Sequence, residues 1–527
     1  MKNITVLEKA IKFLIKNRVK NANDLAWAKR EIAKRFKINP PPNVKLIKAY
    51  HNLIKNKRLK NDTNLEAVLK KRKIRSLSGV VNVSVLTKPY PCPGKCIYCP
   101  NKKDVPKSYL EDEPAVQRAI SNNFNPYLQV RARLKSLNDT GHPTDKIELR
   151  IIGGTWSFYP KKYQTWFIKK CFEAANQKKS KTLKEAQKTN EKAKSRIIGI
   201  SIETRPDFIN IKEIKRLRNL GITKIELGVQ SIYDDVLKIN KRGHLVISTI
   251  KATQLLKDAG FKVSYQMMPN LLGSSFKRDI KMFKEIFSNP DFKPDFLKIY
   301  PLAMVEKSPL YKSPLRKKLK IYSKKELIKL LIETKKQVPF WIRIERIIRD
   351  IPSKNVLKGG ARVSNLREIV QKEMKKRGLM CKCIRCREIK ENYNEKERIY
   401  LFKQNYKASK GEEIFLSYEN KKRNKLYSLL RLRITPNAFL PVLKNSAIIR
   451  ELHTYGQATP INQNKKQKHK SMVQHKGLGK KLIKEAEKIA KKDFGLKKIA
   501  VISGVGVRPY YKKLGYKLKD TYMVKNL

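Results

Sequence analysis

The 527-residue sequence predicts an α/β multidomain chain: a partial βα barrel joined to a second, mixed α/β unit, behind a basic helical N-terminal region. Three observations predict it. From about residue 76 to 350, short apolar runs alternate with helical patterns, which is how parallel βα units read. From about 396, strand-like runs surround one helix that opens on a glycine loop at Gly477. Ahead of both, residues 1–75 carry apolar positions at helical spacing with lysines between them.

In that first region Val6, Ile11, Leu14 and Ile15 set the helical stripe, and Pro40-Pro-Pro42 parts one helical piece from the next. Residues 66–75 form a basic helix end or arm. A solvated face and an RNA-binding face are both open readings for these helices. The barrel strands are expected at 80–86, 146–152, 196–202, 224–229, 262–267 and 296–300. A βα barrel builds its site on the loops after its strands. The stretch from about 177 to 195 is rich in Lys, Ala and Glu without an apolar stripe, and reads as a solvated helix. Residues 351–395 form a connector. The last unit, 396–527, is expected to hold strands at 415–418, 429–434, 448–454 and 498–503, the last ending in Gly504-Val-Gly506.

Lys and Arg number 121 against 45 Asp and Glu, a net charge of +76. Such a field attracts polyanions, nucleic acid above all; abundant Lys, Ile and Asn throughout is the compositional alternative. Six of the seven cysteines lie in two tight clusters, a pattern of metal ligation in a reducing compartment and not of disulfides. No apolar run approaches membrane-spanning length, and Met1-Lys2-Asn3-Ile4 opens into an amphipathic pattern with no signal-peptide core. A cytoplasmic protein with no membrane partner is expected.

Cys92, Cys96 and Cys99 stand at C-x3-C-x2-C, in the loop after the first strand. Three thiolates can hold three irons of a 4Fe–4S cubane, and a full ferredoxin set would add a fourth. The next cysteine, Cys171, is distant and isolated, so one iron is left open for a small molecule. A structural zinc knot is the alternative. Gly153, Gly154 and Thr155 follow the second strand, where small residues let backbone approach a ligand. Gln474, Gly477 and Gly479 form Q-x-x-G-x-G before a helix, which presents backbone N–H groups to a pyrophosphate or is ordinary helix entry. Tyr510 and Tyr511, after the last strand, are proton donors or core aromatics. Cys381, Cys383 and Cys386 make a second cluster, C-x-C-x2-C, read as zinc with its fourth ligand unassigned, or as free thiols.

The cysteine spacing with no fourth ligand resembles the radical S-adenosylmethionine (SAM) enzymes, and the order of strand, Q-x-x-G-x-G helix, strand and tyrosines resembles the GNAT acetyltransferases. Their pairing on one chain is similar to the catalytic subunit of Elongator in its stand-alone archaeal or bacterial form. The likeness is carried by Cys92-Pro-Gly-Lys-Cys-Ile-Tyr-Cys-Pro100, Ile202-Glu-Thr-Arg-Pro-Asp207, Glu226-Leu-Gly-Val-Gln-Ser231, Arg349-Asp-Ile-Pro352 and Ile499-Ala-Val-Ile-Ser-Gly-Val-Gly506, among other stretches from 76 to 527. The resemblance implies a radical SAM partial barrel joined to a GNAT fold, with a 4Fe–4S cluster on Cys92, Cys96 and Cys99. It places Gly153, Gly154, Thr155, Glu203, Arg205 and Gln230 at SAM, and Lys146 at acetyl-CoA. Glu451, Leu452, His453 and Thr454 would line the thioester strand. Gln474, Gly477, Leu478, Gly479, Lys480 and Lys481 would hold the pyrophosphate, with Tyr510 at the acyl end. The implied activity is wobble-uridine modification of tRNA to 5-carboxymethyluridine, from acetyl-CoA and a SAM-derived radical. The implied partners are the tRNA anticodon loop and an electron donor; a homodimer is admitted but not required. A protein lysine acetyltransferase with a structural Fe–S cluster is the rival reading, though it gives this charge and these cysteines no use.

Overall fold

The computed structural model of the chain describes residues 2–70, 79–363, 365–390, 394, 396–456 and 477–527. Four helices come first: Lys2–Lys16, Ala22–Phe36, Asn43–Lys55 and Thr63–Leu69. Side chains set two of the starts. The Asn21 side chain accepts from the Asn23 and Asp24 N–H groups, and Asp62 from those of Asn64 and Leu65, so each cap satisfies donors the helix itself leaves orphaned. Pro42 immediately precedes the third helix. Their apolar faces, including Ile11, Leu14, Ile32, Leu46 and Leu53, make a core of their own.

Seven parallel strands follow: β1 Val81–Leu86, β2 Lys146–Ile152, β3 Arg196–Thr204, β4 Lys224–Gln230, β5 Lys262–Met267, β6 Phe296–Ile299 and β7 Arg343–Arg346. They are hydrogen-bonded in chain order, an open sheet that forms part of a barrel. Parallel neighbours require crossovers, and helices supply most of them. β7 escapes sequence reading because it spells Arg-Ile-Glu-Arg. Its charge is explained by a polar barrel interior. Lys224 of β4 reaches Glu345 of β7 at 2.6 Å, Arg150 of β2 reaches Glu226 of β4 at 3.3 Å, and Lys298 of β6 pairs with Glu226. Buried charges persist because they are paired. The segment read as a solvated helix is shorter and partly buried. Helix Leu183–Asn190 buries Ala186, Gln187 and Asn190, and the Asn190 side chain bonds Asn176, the Ser195 carbonyl and the Ile197 N–H.

The second sheet comprises β8 Tyr400–Ala408, β9 Gly411–Glu419, β10 Leu426–Ile434, β11 Ala447–Thr454, β12 Lys498–Val501, β13 Lys517–Lys519 and β14 Tyr522–Asn526. Its order is β13-β14-β12-β11-β10-β9-β8, antiparallel except for β11 beside β12. The β10–β11 register slips between Arg431 and Leu432, leaving Arg450 without an opposite residue. A bulge re-aims its side chain. Arg450 is wholly buried and ties the two sheets together: it donates to Asp295 (2.9 Å), Glu413 (2.7 Å) and the Phe261 carbonyl (2.7 Å). The turn Gly504-Val-Gly506, read from the sequence as a strand's close, docks on β3. A Cβ at Gly504 would lie 1.9 Å from the Ile198 oxygen, so only glycine admits this approach. Among the described residues, no helix is long and apolar enough to cross a membrane.

Candidate active site

A single cavity of about 1250 Å³ runs through the barrel and out between the sheets. Cys92, Cys96 and Cys99 line one end, and Gly477, Gly479, Lys480 and Tyr510 the other. Residues from both ends of the strands face it: Thr155 and Arg205 after β2 and β3, Lys146 and Lys262 at the starts of β2 and β5.

At the first end, a Cβ on Gly94 would sit 3.6 Å from the Cys96 sulfur and 3.7 Å from that of Cys92, which puts those two atoms within about 7 Å of each other. The sulfurs of Cys381, Cys383 and Cys386 all lie within 4.8 Å of one another, whereas Cys92, Cys96 and Cys99 form no such tight group. One tetrahedral zinc at about 2.3 Å from each sulfur wants edges of about 3.8 Å. A cubane spreads its ligands wider, so the first set suits a cluster and the second a single ion. Cations surround the first set. Arg242 donates to Cys96 Sγ at 3.5 Å, and Lys107 to the Gly94 carbonyl at 2.5 Å. Arg205 is buried and forked onto Asp207 (2.9 and 2.8 Å). Its remaining nitrogen has no partner among the described residues and points at Gly94. Burial raises the Cys96 pKa, but the Arg242 guanidinium outweighs it, and the thiol is held below its usual range. Burial, with the Cys96 charge beside it, pushes Cys99 up to about 11. Offsetting cations are what a cluster with anionic ligands requires.

Of the residues assigned to SAM, Gly154, Thr155, Glu203, Arg205 and Gln230 line the cavity. Thr155 Oγ1 stands 3.8 Å from Cys92 Sγ. Glu203 accepts from Tyr109 (2.7 Å) and Gln266 (3.0 Å). Gln230 ends β4 with φ +72, strained for a non-glycine residue. Gly153 is different. Its carbonyl accepts from Thr87 and Tyr159, and a Cβ there would lie 1.9 Å from Thr87 Oγ1, so it shapes the loop and does not face the cavity. Arg242 stands in a family-like run, Arg242-Gly-His244, with no role assigned from the sequence, and Lys107 and Lys298 were not singled out. Lysines and arginines are too common here for composition to mark them.

At the other end, β11 pairs with β12 only as far as Ile449 opposite Val501, then runs on to Thr454 with no strand partner on that edge among the described residues. The two strands splay, and side-chain alternation divides the bare segment between two spaces. Leu452 and Thr454 lie 3.8 and 3.6 Å from where a Gly479 Cβ would stand, and the Tyr510 hydroxyl 3.4 Å. Glu451 and His453 face the charged barrel: Arg431 donates to Glu451 at 2.7 Å, and the fields of Lys262 and Arg343 reach them. Gly477 opens helix Leu478–Lys492 in the left-handed region, φ +66, with no side-chain cap among the described residues, an arrangement in which first-turn N–H groups can serve a ligand. Leu478 is buried in the core and Lys481 is exposed; neither side chain lines the cavity. Gln474 lies outside the described residues. Tyr511 belongs to the core beneath the helix, and Tyr510 is only partly buried. Burial raises the Tyr510 pKa and lowers that of Lys146.

Three family models match: the Radical SAM superfamily over residues 90–285, the Radical_SAM C-terminal domain over 294–376 and the Acetyltransferase (GNAT) family over 470–516. The chain is 50% identical over 473 residues to the tRNA uridine(34) acetyltransferase of Methanocaldococcus infernus, covering 87% of this chain and 88% of that one. It is 43% identical to the protein of that name from Dehalococcoides mccartyi, covering 87% and 100%, and 39% identical to human Elongator complex protein 3, covering 87% and 86%. The solved structure of the archaeal Methanocaldococcus infernus Elp3 lacking residues 1–46 superposes with a TM-score of 0.75 at 46% identity, covering 86% of this chain and all of that one. The chain belongs to the tRNA uridine(34) acetyltransferase and Elongator complex protein 3 family, with a radical SAM half-barrel and a GNAT-type domain.

Proposed function

We propose that this enzyme modifies the wobble uridine of tRNA to 5-carboxymethyluridine, using acetyl-CoA and SAM-derived radical chemistry. The observation that carries the reading is the continuous cavity between Cys92–Cys99 and the Gly477–Tyr510 pocket. Uridine carbon 5 is too weak a nucleophile for simple acyl transfer, so an acetyl site alone would not suffice. When bound, the cluster and SAM supply a radical that can take hydrogen from the acetyl methyl.

The chain's own groups hold and shield the reactants. Lys107, Arg205 and Arg242 balance charge at the cysteine loop, and Gly154, Thr155, Glu203 and Gln230 present polar groups to SAM. The bare N–H groups after Gly477 take the CoA pyrophosphate, with Gly479 leaving room for it. The open edge of β11 carries the thioester past Leu452 and Thr454, and Tyr510 can give its hydroxyl proton to the departing sulfur. Lys146, made easier to deprotonate by burial, stands at the barrel end of the acyl path. Zinc fits Cys381, Cys383 and Cys386, whose sulfur spacing suits one tetrahedral ion; the buried Lys335 ammonium, 3.4 Å from Cys386 Sγ, offsets their charge. The basic N-terminal helices and the barrel surface take the tRNA backbone, and an outside electron donor completes the set.

Product analysis on two variants tests this. Cys96→Ala should abolish uridine modification while retaining acetyl-CoA binding, and Gly479→Glu should reduce it strongly at limiting acetyl-CoA while retaining iron. Modified uridine formed by Cys96→Ala would refute the radical role.

A further inference from the structure

Hydrolysis of the thioester needs a base for the attacking water, and the cavity holds a carboxylate placed for it. β2 alternates along its length, so Lys146, Glu148 and Arg150 line the cavity while Ile147, Leu149 and Ile151 are buried. The β2–β3 register slips between Ile147 and Glu148, which skips Ile198 and sets Gly199 opposite Glu148. Glycine leaves the space beside the carboxylate open on that side. Ser503 and Gly504 line the cavity here too, because Gly504 docks on Ile198. Glu148 therefore stands where the barrel meets the second sheet, and its field reaches His453 of β11, one residue before Thr454.

The carboxylate of Glu148 has no hydrogen-bond or ion-pair partner among the described residues. The other carboxylates that line the cavity are engaged. Arg349 lies 3.5 Å from Glu113, and Tyr109 donates to Glu203 at 2.7 Å. Lys224 reaches Glu345 at 2.6 Å, Arg346 reaches Asp350 at 2.5 Å, Arg343 reaches Glu388 at 2.6 Å and Arg431 reaches Glu451 at 2.7 Å. With 121 Lys and Arg against 45 Asp and Glu, a paired carboxylate is the expectation in this chain, and Glu148 departs from it. It does not serve the cations nearest it on the sheet either, since Lys224 is committed to Glu345 and Arg150 to Glu226. We propose that Glu148 is the general base of thioester hydrolysis: it takes a proton from the water that attacks the carbonyl, while Tyr510 gives its hydroxyl proton to the departing sulfur. The proposal rests on the acetyl-CoA reading above. A carbon–oxygen bond forms and the carbon–sulfur bond breaks. The proton on Glu148 then returns through solvent to the Tyr510 phenolate, so water and thioester become carboxyl and thiol with no oxidant or reductant. His453 is the competing base. Its ring lies against Tyr455, centroids 4.2 Å apart, and its Nε2 is buried without a partner among the described residues, which closes that nitrogen to water.

The test uses the full chain with acetyl-CoA and tRNA, and follows free CoA by chromatography. SAM and reductant are left out, which separates hydrolysis from the radical step. Calorimetry gives acetyl-CoA affinity and filter binding gives tRNA affinity. Glu148→Gln should release CoA about a hundredfold more slowly, the lower range for general base catalysis, with both affinities and the melting temperature unchanged. Glu148→Asp should keep an intermediate rate. In Glu148→Ala, added formate should restore release in proportion to its concentration, an effect that a merely structural carboxylate would not show; it should do nothing for Tyr510→Phe. Release by Glu148→Gln at the unaltered rate overturns the proposal, as does a loss in Glu148→Ala that formate fails to rescue. A loss in His453→Gln with Glu148→Gln intact overturns it in favour of the imidazole. Failure of the unaltered chain to bind acetyl-CoA would instead refute the acetyl-CoA reading beneath it.

Discussion

Replacing Gly479 by glutamate puts a carboxylate where the structure leaves room for a pyrophosphate. A Cβ at this position would stand 3.4 Å from the Tyr510 hydroxyl, 3.6 Å from Thr454 Oγ1 and 3.8 Å from a Leu452 methyl, all ordinary van der Waals distances. Gly479→Ala therefore fits, and the helix gains up to about 1 kcal/mol from the better helix former. Glutamate adds a charge on the order of 4 Å from a phosphate of like sign. That repulsion is about 1 kcal/mol at the dielectric of water and about 4 at the effective value near a protein surface. For this half-buried position about 2 kcal/mol is the working figure, roughly thirtyfold in acetyl-CoA affinity. The new side chain can also cap the free N–H groups itself, which deepens the loss. Titration calorimetry on the Ala, Gln and Glu variants separates bulk from charge. The expected order is Ala near the unaltered chain, Gln intermediate and Glu weakest. Unchanged affinity in Gly479→Glu, or equal losses in Ala and Glu, would refute the pyrophosphate assignment.

Cys96→Ala should fail to hold about four irons after anaerobic reconstitution, by the cluster's stoichiometry, and iron analysis with SAM-cleavage assays checks it. Tyr510→Phe should slow acetyl-CoA hydrolysis by about a hundredfold, the lower range for general acid catalysis, with the melting temperature held. Tyr511→Phe should act on stability first, because its ring lies in the core. Lys257 is wholly buried between the sheets; burial lowers its pKa to about 8, against the partial support of Glu413 and Asp295. Its folded pKa is below the unfolded value near 10.4, so the unfolded chain binds more protons between the two and stability from this group rises with pH from about 8 to 10.4. Denaturation curves across that window should lose this component in Lys257→Met. Deleting residues 1–75 should weaken tRNA binding in filter assays far more than acetyl-CoA binding, and should lower the slope of affinity against salt.

Strands β2 and β5 match their sequence-based limits because each alternates polar with apolar residues between clear turn signals on both sides. The sequence hides β7 for a physical reason. Its Arg343, Glu345 and Arg346 serve a polar barrel interior, so the strand lacks the apolar face that period-two reading needs. The helix at Leu183–Asn190 hides its burial similarly, because an amide network rather than an apolar stripe holds it down. At the site, motif spacing finds the cysteines and the glycine helix start, both local in sequence. It cannot find Arg242 beside Cys96, 146 residues away, or the contact of Gly504 with Ile198, since both come from packing between distant segments. The same limit explains Gly153, whose glycine serves Thr87 and not a ligand.

On the proposed reading, one cavity lets a radical made at one end act on an acetyl group held at the other. Anaerobic incubation with SAM, a reductant, tRNA and acetyl-CoA carrying a trideuterated methyl tests it most directly, with mass spectrometry of the nucleosides. The predicted result is 5′-deoxyadenosine bearing one deuterium and a carboxymethyl group on uridine bearing two. Unlabelled 5′-deoxyadenosine beside unmodified uridine, with acetyl-CoA consumed, would contradict it.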